Sequence, residues 1–224
     1  MQTITSVRQC DLKTEANRIF VPRYYYKNTA MRLSLDPVVP TSQEWVDAIL
    51  YDFDSFLIDH CDCERKASGM AMGMIAKYPN RTEIIPELME TAIEELEHYR
   101  DVYGLMQERG LQLPLKVEPD PYIKAFHSAL RGPSELRFLD RLLQSSIIEM
   151  RGCERFRLVA ENVADAQIQK FYKQLWTTEA KHGHIFVRMA LRYFPEDEVY
   201  DRLETLNTIE SEIVSSLPIR SALH

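Results

Sequence analysis

The feature that most constrains this chain is a Glu-x-x-His motif that occurs twice, 84 residues apart. A lone glutamate precedes each copy at nearly the same distance: Glu64 lies 31 residues before the first motif and Glu149 lies 30 before the second. On a helix, residues i and i+3 share one face. Two such motifs with matched upstream glutamates form the ligand pattern of a carboxylate-bridged di-iron site in a four-helix bundle. The six candidate metal ligands are Glu64, Glu95, His98, Glu149, Glu179 and His182.

Apolar residues recur at helical spacing along most of the chain and predict an all-α fold. A capping box at residues 41–44 predicts the start of a short first helix. A break near residues 52–54 and a long helix ending near Lys77 follow. Further helices are predicted over about 82–109, 122–131, 134–162, 165–193 and 195–216.

The links between these helices predict a topology. Short links at residues 78–81 and 162–166 contrast with a proline-rich connection over residues 111–121. Two antiparallel hairpins joined by one long crossover are typical of ferritin-like four-helix bundles. We therefore expect a ferritin-like domain over residues 36–216, with extra helices at both ends. Residues 1–35 are predicted to form an N-terminal arm, docked or partly disordered, and residues 217–224 a C-terminal tail.

The fifth predicted helix offers two carboxylates. A Cys-Glu-Arg sequence at residues 63–65 is repeated at residues 153–155, and this echo favours Glu154. The distance from the turn favours Glu149, because Glu64, Glu95, Glu149 and Glu179 all lie 15 or 16 residues from the turns of their hairpins. Glu154 would lie ~7 Å out of register at 1.5 Å of rise per residue. Register therefore favours Glu149.

Composition limits the function classes. The net charge of −7 argues against broad, nonspecific nucleic-acid binding, although it permits a local basic face. Arg100, Arg109, Arg151, Arg155 and Arg157 are candidates for phosphate contacts or ordinary surface charges. No apolar run reaches the ~18 residues of a membrane span, and no secretory signal is visible, so we expect a cytoplasmic protein.

Four carboxylates and two imidazoles suit iron or manganese. Burying four glutamates without a cation would be very costly, so inward-facing ligands would require metal. Small residues follow the lone glutamates on the same helix faces: Ala67 and Ser68, then Gly152 and Cys153. They predict either a cavity for dioxygen and substrate or close helix packing.

Three segments resemble a known family. Residues 57–67 (LIDHCDCERKA), 148–156 (IEMRGCERF) and 179–182 (EAKH) are similar to signatures of the tRNA 2-methylthio-N6-isopentenyladenosine hydroxylases. The resemblance extends over roughly residues 35–215. It implies a ferritin-like fold with two non-haem iron ions held by the six candidate ligands.

The same resemblance implies an activity. The expected reaction is a dioxygen-dependent monooxygenation that hydroxylates the isopentenyl group of adenosine 37, beside the anticodon of tRNA. The implied partners are the anticodon loop of tRNA and an electron donor, a reductase or ferredoxin, with no membrane.

Other readings of the pattern remain open at this stage. A deep apolar cavity without a basic rim would favour a di-iron oxygenase or oxidase acting on a small lipid or aldehyde. A large hollow assembly would favour an iron-storage or peroxide-scavenging bundle. Absence of metal after iron-replete purification would favour a helical interaction module with a vestigial site.

Overall fold

The computed structural model describes residues 33–117, 119–132 and 134–224. The predicted N-terminal arm lies outside these residues except for its last three. The described residues form seven helices and no strand, as the apolar period predicts. The helices are α1 (Gln43–Tyr51), α2 (Phe53–Lys77), α3 (Ile85–Glu108), α4 (Pro121–Ser128), α5 (Ser134–Asn162), α6 (Ala166–Leu191) and α7 (Glu196–Ser216).

Four long helices form two hairpins, in which α2 packs against α3 and α5 packs against α6. Short links join the helices within each hairpin, whereas residues 109–133 connect the hairpins and contain α4. This is the predicted ferritin-like topology with one long crossover. The two additional helices also pack on the bundle, since α1 contacts α5 and α2, and α7 contacts α5, α4 and α6.

Helix ends follow local chemistry, with small departures from the predicted positions. Ser42 caps α1 by accepting a hydrogen bond from the backbone of Trp45, so the predicted cap is one residue off. Helix α3 begins at Ile85 rather than residue 82, which puts Pro86 in the first turn, where its missing N–H costs least. Gly110 ends α3 at a positive φ of 71°, in the left-handed conformation that glycine adopts without strain.

The bundle contains two separate apolar cores, and a polar layer lies between them. On α2, Cys61 belongs to one core and Ala71 to the other, with Glu64 between them. On α6, Leu175 and Phe186 lie in different cores, on either side of the Glu-x-x-His motif. On α3 and α5, the candidate ligands likewise lie between residues of the two cores. Large buried side chains above and below thus fix the axial level of the candidate ligands.

Helices α5 and α6 approach closely beside this layer. The Ser146 hydroxyl donates a hydrogen bond of 2.7 Å to the backbone carbonyl of Gly183. A Cβ at Gly183 would lie 2.7 Å from the sulfur of Met150, so the Met150 side chain would have to shift to admit a larger residue.

The predicted C-terminal tail packs against the bundle. The indole of Trp45 donates to the carbonyl of Ala222 at 3.0 Å, and the backbone N–H of Leu223 donates to the Asp59 carboxylate at 2.7 Å. Both Ala222 and Leu223 are buried. In the part of the chain that the structure describes, no helix has the length and apolar character to cross a membrane.

Candidate metal centre

The structure brings all six predicted ligand side chains together in the polar layer. They come from four helices: Glu64 from α2, the first Glu-x-x-His motif from α3, Glu149 from α5 and the second motif from α6. Five of them are buried, and the His98 side chain is only 13% exposed. The matched spacing in the sequence therefore corresponds to one level in the bundle.

The six side chains form two overlapping groups whose potential ligand atoms lie within 4.8 Å of one another. One group contains Glu64 and His98, and the other contains Glu149 and His182. Glu95 and Glu179 belong to both. Two neighbouring cation positions that share two carboxylates are the arrangement expected for a bridged pair of metal ions.

Nδ1 of His182 forms a hydrogen bond of 2.9 Å with Oε2 of Glu179, but two other short contacts within the cluster are not aligned as hydrogen bonds. The Nδ1 atom of His98 lies 2.8 Å from Oε1 of Glu179, and Nδ1 of His182 lies 2.8 Å from Oε1 of Glu95. Nevertheless, His98 Nδ1 and both carboxylate oxygens lack a hydrogen-bond partner. Buried polar atoms without partners are costly. Atoms that converge without bonding one another fit a shared cation, and this oxygen-rich donor set suits iron or manganese.

Without a cation, the carboxylates and histidines of the cluster have shifted pKa values. Burial and the charge of Glu179 raise the pKa of Glu95 to about 7. Burial and the charges of Glu95 and Glu179 raise the pKa of Glu149 well above its usual range. Neighbouring carboxylates overcome burial and raise the pKa of His182 to about 12. The metal-free cluster therefore retains protons that bound cations would displace.

Three residues outside the predicted set orient the candidate ligands. His60 lies between two partners: Nε2 is 2.5 Å from Oε1 of Glu64, and Nδ1 is 2.9 Å from the hydroxyl of Tyr172. Nε2 of His182 lies 2.7 Å from Oε2 of Glu94, so Nδ1 is left to face the cluster. Such outer partners fix the ring orientation of metal-binding histidines. His60 lies one turn before Glu64, a spacing that could have indicated it, whereas no pattern in the sequence marks Tyr172 or Glu94.

Glu154, the alternative carboxylate, lies away from the cluster. It accepts hydrogen bonds from the backbone and the hydroxyl of Thr41, at 3.0 and 2.8 Å. It also pairs with the buried guanidinium of Arg151 at 2.6 Å. Arg151 in turn pairs with the buried Glu210 of α7. Glu154 thus links α5 to the start of α1, and Glu149 is the α5 carboxylate that reaches the cluster.

The arginines considered as phosphate contacts mostly have partners within the protein. Arg151 and Arg155 are buried, which contradicts a role for them in binding an external phosphate. Arg109 pairs with Asp54, and Arg157 pairs with Glu161.

A cavity of about 270 Å³ opens beside the centre and is lined by residues of α2, α4 and α5, together with Asp120 and His224. Its apolar side chains include Ala67, Met70, Ile123 and Ile148. Of the six candidate ligands, all within the described residues, Glu149 alone forms part of its wall. Two of the small residues predicted to leave space have different roles. Ala67 lines the cavity, whereas the Ser68 hydroxyl donates a hydrogen bond to a backbone carbonyl of α3.

Comparison with known proteins agrees with this geometry. The family model described as tRNA-(MS[2]IO[6]A)-hydroxylase (MiaE) matches residues 35–224. The chain belongs to this family. The matched range includes all six candidate ligands, the residues that line the cavity and the packed C-terminal residues. The fold and family predicted from the sequence are thus confirmed.

Two relatives carry the name tRNA 2-(methylsulfanyl)-N(6)-isopentenyladenosine(37) hydroxylase. The protein from Pseudomonas putida is 33% identical over 178 residues, which are 79% of this chain and 85% of the relative. The protein from Salmonella typhimurium is 29% identical over 134 residues, which are 60% of this chain and 48% of the relative. The match therefore spans about half of the second protein.

A solved structure also resembles the chain. It is described as protein 43 with aldehyde deformylating oxygenase activity from Synechococcus. The two share 32% sequence identity and a TM-score of 0.79, over 84% of this chain and 94% of the other. This member of the MiaE family thus shares its helical architecture with an oxygenase named for a different substrate.

Proposed function

We propose that this protein is a non-haem di-iron monooxygenase that hydroxylates the isopentenyl group of N6-isopentenyladenosine 37 in tRNA, with or without the 2-methylthio group. Membership of the MiaE family and the names of the relatives support the reaction. The observation that carries the proposal is the largely apolar cavity that has Glu149 in its wall. A branched five-carbon group in this cavity would lie against the candidate metal centre.

The candidate ligands for two iron ions are the six residues of the cluster, with Glu95 and Glu179 shared between the two positions. When bound there, two iron ions would supply the activation of dioxygen and the oxidising power that a C–H bond requires. Holding the ligands in place is the task of the protein. His60, fixed by Tyr172, orients Glu64, and Glu94 orients His182.

The apolar wall performs a second task. The apolar surfaces of Ala67, Met70 and Ile148 exclude water from the prenyl group. Glu149 lies at the boundary between this wall and the centre, with 8% of its surface exposed. A substrate carbon therefore approaches the centre from the Glu149 side.

The reaction also requires a source of electrons and protons. One oxygen atom of dioxygen enters a C–H bond of the prenyl group, and the other leaves as water after taking up two electrons and two protons. The electrons come from an external donor, a reductase or ferredoxin. Because the substrate is tRNA, we place the activity in the cytoplasm.

Nucleoside mass spectrometry tests the proposal. Iron-loaded, reduced protein is incubated in air with isopentenylated tRNA, and the nucleosides are then analysed. We expect the modified adenosine to gain one oxygen atom, and we expect Glu149→Ala to abolish the gain. The matched control is Glu161→Ala, an exposed glutamate on the same helix, which should keep full activity. No gain with bound iron confirmed would refute the tRNA substrate.

A second candidate function is oxidation of a small aldehyde. It is favoured by the likeness to the Synechococcus protein and by the apolar lining of the cavity. Incubation with a long-chain aldehyde under the same conditions, with detection of a hydrocarbon product, distinguishes the two. Product from the aldehyde and none from tRNA would replace the first proposal with the second.

A further inference from the structure

We propose that Gln144 recognises the adenine base of the substrate by donating a hydrogen bond to one of its ring nitrogens. Together with Arg141, it would orient the modified nucleotide along α5. This inference rests on the proposed function, because it concerns how the prenylated nucleotide enters the cavity beside Glu149.

The amide of Gln144 is a buried group with an unused donor. The residue is 3% exposed and lines the cavity. Its Nε2 has no hydrogen-bond partner among the described residues. Because a buried donor without an acceptor is costly, we expect a water or a ligand to complete it. The cavity is the space from which an acceptor can come.

A neighbouring histidine fixes the orientation of this amide. Nδ1 of His127 lies 2.8 Å from Oε1 of Gln144. Partial burial and the nearby charges of Arg141 and Arg137 lower the pKa of His127, so its ring is neutral. A neutral ring that donates from Nδ1 to Oε1 leaves the NH₂ group of Gln144 for the ligand. The adenine ring nitrogens N1, N3 and N7 are acceptors only, so they match this donor.

The spacing along α5 agrees with the size of the substrate. Gln144 and Glu149 both line the cavity and are five residues apart, which corresponds to ~7.5 Å along the helix. The prenyl chain spans ~5 Å from N6 to its terminal carbons at standard bond lengths. With these carbons beside Glu149, the adenine ring lies at the level of Gln144.

Arg141 lies further along α5 from Glu149 and is more exposed than Gln144. It is half-buried in the cavity wall, one turn before Gln144, and its guanidinium makes no hydrogen bond or ion pair with the described residues. It therefore differs from the paired arginines elsewhere in the protein. A free guanidinium next to a base site suits a backbone phosphate. The carboxylate of Asp120, also in the wall, is occupied in capping α4.

The test uses anticodon stem-loop RNAs in which the prenylated base has CH in place of one ring nitrogen, as 1-deaza, 3-deaza and 7-deaza analogues. The kcat/KM for hydroxylation is measured by nucleoside mass spectrometry with the iron-loaded full chain. We expect one analogue to react about tenfold more slowly than the parent RNA, because it leaves the Gln144 donor without an acceptor.

The variant Gln144→Leu should remove this discrimination, so that the parent RNA and that analogue react at the same reduced rate. Gln169→Leu, which changes an exposed glutamine of α6, should retain it. Iron content and thermal melting establish that each variant folds, and the analogue series on the unaltered protein needs no variant.

The outcomes separate the two proposals. If the unaltered protein hydroxylates the parent RNA and all three analogues equally, the role of Gln144 is refuted and the proposed function stands. Retained discrimination in Gln144→Leu also refutes that role. If the unaltered protein hydroxylates none of the RNAs, the proposed function fails, and this inference fails with it.

Discussion

Removal of the metal should make the stability of this protein fall as the pH rises from about 5 to 8. The reason lies in the carboxylates of the centre, which resist ionisation when no cation balances them. Burial and the charge of Glu179 raise the pKa of Glu95 from its usual 4.5 to about 7. In the unfolded chain the same carboxyl ionises near 4.5. Rising pH between these values therefore favours the unfolded state.

The difference of about 2.5 pKa units corresponds to ~3 kcal/mol of folding free energy at 1.36 kcal/mol per unit. Glu149 acts in the same direction, because its pKa is also raised. His182 acts in the same direction at higher pH. Its pKa is raised from 6.5 to about 12, so its stabilisation is complete below pH 6.5 and declines as the pH rises towards 12. For a chain of this size, ~3 kcal/mol amounts to ~6–12 °C in melting temperature.

Thermal unfolding followed by circular dichroism measures this effect. The protein is stripped with a chelator and melted between pH 5 and 8, alone and with Fe²⁺ or Mn²⁺ under anaerobic conditions. Metal binding requires ionised carboxylates, so the stabilisation by metal should increase with pH. Glu95→Gln should reduce the pH-dependent loss by ~3 kcal/mol, whereas the exposed Glu161→Gln should not. A metal-free protein whose stability is constant or rises over this range would refute the reasoning.

Three further predictions concern other parts of the structure. Gly183→Ala should destabilise the protein by about 1–3 kcal/mol, because the added Cβ would lie 2.7 Å from a sulfur atom on α5; an unchanged melting temperature would contradict this. His60→Leu should weaken metal binding about 10- to 100-fold, since Glu64 loses a partner 2.5 Å away; competition against a chelator measures the affinity, and an unaltered value would exclude the orienting role. Arg141→Ala should lower affinity for the anticodon stem-loop RNA and reduce the slope of log K against log salt by about 1. The exposed Arg157→Ala is its control, and equal slopes for both variants would show that Arg141 contacts no phosphate.

Local patterns in the sequence were sufficient to predict the helices and their order, because each long helix has apolar residues at helical spacing. One departure has a tertiary cause. Helix α4 ends at Ser128 rather than residue 131, because the backbone N–H of Arg131 donates to the Asp140 carboxylate. The six candidate ligands were also predictable, since their spacing within each hairpin is visible in the chain. Their role as metal ligands remains a prediction.

The groups that surround the centre could not be predicted in this way. Tyr172 lies 112 residues from His60, and Glu94 lies 88 residues from His182. Nothing in the local sequence marks either residue, because their role arises only when hairpins pack. The same holds for Arg151, whose partner Glu210 comes from α7. Outer partners depend on the packing of distant elements, whereas the inner set depends on register within a hairpin.

The choice between Glu149 and Glu154 illustrates this difference. The repeated Cys-Glu-Arg sequence suggested equivalent roles for Glu64 and Glu154, but Glu64 faces the cluster and Glu154 binds the start of α1. Five residues along a helix correspond to ~7.5 Å, which is enough to move a side chain out of a layer enclosed by two apolar cores. Axial distance from the turn therefore decides which carboxylate reaches the centre, and local similarity does not. The same layer brings Glu149 into the wall of the cavity, so the register that assembles the centre also determines where a substrate can meet it.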